Sequence, residues 1–63
     1  MQPHQERVVV EKAELDGKVI RLHEFLKGPV FAALPTDEQE RLTEQFVVMQ
    51  RYSSILGERI AAF

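Results

Sequence analysis

The chain predicts an all-α fold: an antiparallel two-helix hairpin, coiled-coil-like, that assembles with copies of itself into an oligomeric helical bundle. Three observations predict it. Apolar residues repeat in heptads along two helix-length stretches. One short break, from Gly28-Pro29 to Leu34-Pro35, joins the two. Each stretch also carries a second apolar stripe that its partner helix in a lone hairpin cannot cover.

The first helix is expected from about residue 4 to about residue 27. Pro3 suits a first helical turn, where its missing N–H has no intrahelical partner. Val8, Leu15 and Leu22 then recur every seven residues at d positions, and Val19 and Leu26 occupy a positions. Gln5 and Lys12 fill the earlier a positions. Gly28 followed by Pro29 is the expected stop, with glycine in a left-handed cap and proline unable to extend the helix.

A connector over 28–35 follows, with Val30, Phe31 and Leu34 able to form a single turn that plugs the end of the hairpin. Pro35 precedes Thr36-Asp37-Glu38-Gln39, which reads as a capping box with Thr36 as N-cap and Gln39 at N3. Asp37 and Glu38 sit where the helix dipole favours negative charge. The second helix, about 37–62, repeats at Leu42, Phe46, Met49, Ser53, Leu56, Ile60 and Phe63. An antiparallel register places Leu26 near Leu42, Leu22 near Phe46, Val19 near Met49 and Val8 near Ile60. Residues 1–63 form one domain in this reading.

Size argues for partners. A chain of 63 residues buries only roughly 60% of the surface its unfolded form exposes. Small scaffolds lean on disulfides, metals or neighbouring chains. Cysteine is absent, and His4 and His23 have no zinc-ligand spacing. Self-association is the remaining stabiliser. The expected interface is Val10, Ala13, Gly17 and Ile20 on the first helix with Val48, Tyr52, Ile55 and Gly57 on the second. Ser53, Gly57 and Ala61 form a ridge of small residues that allows close helix approach or leaves a recess between subunits.

The formal charge is −2, without a basic block, so duplex DNA or RNA is not an expected partner. No apolar run approaches about 20 residues, so no membrane span is expected. The N-terminus lacks the basic-then-apolar pattern of a secretory leader, and a cytoplasmic location follows as the expectation. The glycines are isolated and make no phosphate loop. Glu14 with Lys18 reads as an i, i+4 helix pair, and His4 and His23 as surface residues. No nucleophile–base or carboxylate constellation is present, so an enzyme is not expected, and neither is a cofactor or metal.

Lys12 and Ser53 are polar residues at seam positions, where such groups fix register. Alternatively Lys12, Arg51, Tyr52 and Arg59 furnish cations and a stacking ring for an anionic ligand, with a symmetry mate supplying a second copy.

The run His4-Gln5, Arg7-Val8, Glu11-Lys12, Glu14-Leu15 and Lys18 resembles the opening of small helical accessory proteins of tailed phages and prophages. Phe31, Leu34, Glu38-Gln39, Leu42, Gln45, Met49, Tyr52, Leu56 and Arg59-Ile60 resemble the remainder. The group is identified by similarity to an uncharacterised protein of a crAss-like phage. The resemblance implies a non-enzymatic protein that counteracts host defence, with sequestration of a cyclic-nucleotide signal between helical subunits as the sharper version. The residues themselves leave two alternatives: a module that inhibits a host or phage protein through its apolar stripes, and a purely structural bundle.

Overall fold

The computed structural model describes Met1–Phe63 and contains three helices: α1 (Pro3–Leu26), α2 (Pro29–Ala32) and α3 (Thr36–Ala61). The long helices α1 and α3 pack antiparallel, giving a rod of 46 × 14 × 13 Å. No helix is long and apolar enough to cross a membrane.

Pro3 opens α1 at the first helical position, as expected, and Gln2 is its cap. The Gln2 backbone N–H donates to the Gln5 side-chain oxygen at 2.8 Å. The far end departs from expectation. Gly28 is extended (φ −93°, ψ 170°), and the chain has no left-handed glycine. The cause is Pro29, whose ring excludes the helical region for the residue before it. Lys27 closes the last turn by donating to Glu24 O, and Gly28 by donating to Phe25 O. Proline stops this helix; glycine's conformational freedom is not used.

The boundary at α3 also differs. Thr36 is already helical, and Pro35 stands in the cap position, its carbonyl accepting from the N–H groups of Glu38 and Gln39 at 3.1 and 3.0 Å. The expected capping box is therefore not formed. Gln39 turns backward instead: its Nε2 lies within hydrogen-bond distance of the carbonyls of Phe31 (3.0 Å), Ala32 (3.2 Å) and Leu34 (3.1 Å). Carbonyls left over at the end of a helix need such partners. One side chain thus ties α2 to α3. Phe25 and Phe31 meet edge-on at 6.4 Å across the same end.

The heptad positions face inward as predicted. From Gln5 to Leu26 on α1, and from Leu42 to Ile60 on α3, every seam residue is buried or half-buried. Val8, Leu15 and Leu56 are the buried core, with Val19, Met49 and Ile60 packed against it. Phe63 is the exception: it lies beyond the end of α3 and is exposed. Only 3 of 63 residues are buried, so the hairpin alone holds a narrow seam rather than a deep core.

Candidate functional site

Three polar side chains close on one another in that seam. Lys12 Nζ donates to Asp16 Oδ2 at 2.7 Å and to Ser53 Oγ at 3.1 Å. The Ser53 hydroxyl donates to Asp16 Oδ1 at 2.5 Å. Each Asp16 oxygen accepts one bond, and Ser53 both gives and receives. No buried side-chain nitrogen or oxygen lacks a partner, which is what allows polar groups to sit between packed helices. Lys12 reaches its partners by laying its stem over Gly57, where an added Cβ would stand 3.4 Å from Lys12 Cε.

Bonds from Lys12, first, and from Ser53, together with the Lys12 charge, hold the Asp16 carboxyl below its ordinary value of 3.8, against a smaller opposing effect of desolvation. The sign of the pH dependence follows. A carboxyl whose folded pKa is depressed contributes stability that is fully present above the unfolded value and lost as pH falls through the folded one. Urea melts of the wild type should therefore show an acid loss of stability that begins near the ordinary carboxylate range. Asp16→Asn should lack that component; an unchanged acid profile in the variant would show that Asp16 is not its source.

Asp16 was missed by sequence reasoning, although a signal existed. Lys12 and Asp16 stand i, i+4, and the antiparallel register sets Ser53 at their level. Glu14 and Lys18, the pair expected from the same rule, form no ion pair within 4 Å; Lys12–Asp16 is the close one.

The four residues expected to hold an anion occupy different surroundings. Lys12 is engaged with Asp16 and Ser53, and Arg51 lies 3.7 Å from Glu58. Tyr52 is 41% exposed, and Arg59 has no carboxylate within ion-pair distance. Asp16 and Gly57 each follow a d residue (Leu15 and Leu56) and take e positions; Tyr52 and Arg59 precede the seam residues Ser53 and Ile60 and take g positions. Positions e and g flank a heptad seam on opposite sides. Lys12 is thus drawn to one flank, whereas Tyr52 and Arg59 share the other.

The second stripes are exposed. Val10, Ala13 and Ile20 on α1 and Val48, Tyr52 and Ile55 on α3 face outward, with Gly17 half-buried between them. Gly17 opens onto Arg21 alone, whose Nη1 would lie 3.4 Å from an added Cβ. His23, expected on the surface, is exposed and stacks on Phe46 with ring centroids 5.6 Å apart.

These features can be compared with known proteins. The Sequestin family matches residues 2–62. An "uncharacterized 7.5 kDa protein in denB-rIIB intergenic region" of Enterobacteria phage T4 is 38% identical over 63 residues, spanning 100% of this chain and 98% of the phage protein. No solved structure matches. With both similarities running along nearly the full length of the hairpin, the chain belongs to the Sequestin family.

Proposed function

We propose that this chain is a non-enzymatic phage or prophage accessory protein that acts in the host bacterial cytoplasm. It counteracts host defence by holding a cyclic-nucleotide signal in pockets between hairpins of a homo-oligomer. The family's description as Sequestin and the phage origin of a relative support the class. The observation that carries the ligand is the stripe Tyr52, Ile55, Arg59: an exposed ring and a guanidinium without a carboxylate, on one face of α3. An aromatic face stacks on any base, and arginine pairs with phosphate oxygens through its planar fork. Two copies of the stripe brought together by symmetry match a ligand that presents two bases and two phosphates. Arg51 serves as a further cation in this reading, released from Glu58 when a phosphate replaces that carboxylate, and Lys12, on the opposite flank of its own hairpin, is supplied by a neighbouring copy.

The oligomer contact in this reading uses Val10, Ala13, Gly17 and Ile20 with Val48, Tyr52 and Ile55. Gly57 contributes by letting Lys12 lie flat between the helices. Calorimetric titration of the protein at tens of micromolar with cyclic di- and trinucleotides is the test. Saturable heat with at least one ligand is expected, and no heat with any of them overturns the nucleotide reading. The breadth of exposed aliphatic surface, Val47 and Val48 included, favours a second reading in which the same stripes bind and inhibit a host or phage protein. A stoichiometric partner recovered from host lysate, with no nucleotide heat, would select it.

A further inference from the structure

At the closed end of the hairpin, α2 and the first half of α3 leave a shallow, widely open groove of about 530 Å3. Phe31 and Val47 are the apolar residues of its lining, and Glu40 and Glu44 line it as well. These two carboxylates are i, i+4 on one helix, a like-charge spacing that is locally unfavourable. Neither has a cation within ion-pair distance, whereas the neighbouring Asp37 and Glu38 share Arg41. Such a groove fits an apolar surface that carries a positive charge.

The opposite helix presents that surface. Ile20 is 63% exposed, and the adjacent Arg21 has no acidic partner within reach. Its guanidinium lies beside the Gly17 notch. Within one hairpin no ion pair joins Arg21 to Glu40 or Glu44. Groove and projection are complementary in charge and in apolar character, and both are unfilled.

We infer that this groove seats α1 of a second copy, with its Ile20 against Phe31 and Val47 and its Arg21 between Glu40 and Glu44. The inference rests on the oligomeric reading above and changes one contact of it: Ile20 of the neighbour packs on Phe31 and Val47, which leaves Val48, Tyr52 and Ile55 open to the ligand. The contact joins two different faces, so it is heterologous and propagates head to tail until the rotation closes a ring; the pairing of two Tyr52 stripes is a separate, isologous contact. The thin seam of the isolated hairpin gives the covered face its energetic reason.

The experiment is sedimentation velocity at low salt on four proteins: wild type, Arg21→Glu, the pair Glu40→Arg with Glu44→Arg, and the triple variant carrying all three changes. The wild type should sediment as a multimer. Each reversal alone should weaken assembly by about tenfold or more, because like charges then face each other across the contact. The triple variant, with the charges exchanged, should recover assembly. Equal helical circular dichroism shows that the fold is retained. A wild-type multimer indifferent to both reversals, or a triple variant no better than its parents, overturns this interface and leaves assembly to another face. A wild type that sediments as one hairpin overturns the oligomeric reading as well.

Discussion

Leu56→Ala is expected to lower the unfolding free energy by about 2–5 kcal/mol, the range for an emptied buried leucine site. Leu56 is the most deeply buried side chain, 1% exposed, and is packed in the cluster that contains Val8 and Leu15. A domain of this length has roughly 3–9 kcal/mol in total at 0.05–0.15 kcal/mol per residue, so the substitution removes much of its stability. The sequence alone assigns the same cost to Leu22→Ala and Phe46→Ala. Both residues are only half-buried in the hairpin, and since burial free energy scales with area removed from water, a loss of about 1–2 kcal/mol is expected for each. Urea melts at one fixed protein concentration check the order, because the proposed assembly would make stability concentration-dependent. A cost below that of Leu22→Ala would refute the placement of the core at Leu56.

On the proposed function, Tyr52→Ala is expected to weaken nucleotide binding by about 5- to 150-fold, the equivalent of 1–3 kcal/mol for one lost base–aromatic stack. Tyr52 is outside the buried core, so helicity should survive the change. Tyr52→Phe should keep most of the affinity, since stacking uses the ring and not the hydroxyl. Arg59→Ala should weaken binding as well, and should flatten its salt dependence by removing a phosphate contact. Calorimetry on the three variants separates these effects. Unchanged affinity in Tyr52→Ala would remove the ring from the site, and an unchanged salt profile in Arg59→Ala would remove the cation.

The candidate site was legible in part. Lys12 and Ser53 stand out in the sequence as polar residues at seam positions, and the structure brings them to 3.1 Å. Asp16 was not legible, because an acidic residue beside the seam looks like any solvated heptad flank until the opposite helix supplies Ser53. The division of Lys12 from Tyr52 and Arg59 was also hidden. All three lie at neighbouring levels along the rod, and only the direction of the Lys12 stem over Gly57 shows which flank it takes.

Helix boundaries show the same division on a smaller scale. Pro3, the break after Leu26, the single turn at Pro29–Ala32 and the start near Thr36 all follow from local backbone chemistry. What those residues do at the boundary does not. Gln39 fits a capping box by spacing, yet it bonds three carbonyls of the connector, because α2 folds back within its reach.

By itself the sequence determined the two rods, their break and the face each turns inward, because a 3.5-residue apolar repeat and proline sterics act within a few residues of themselves. Only the tertiary structure decided which polar groups satisfy one another and where the seam is deepest. It alone decided which charges remain without partners. Those outcomes depend on what the opposing helix places within about 3 Å of each atom, the range at which hydrogen bonds form.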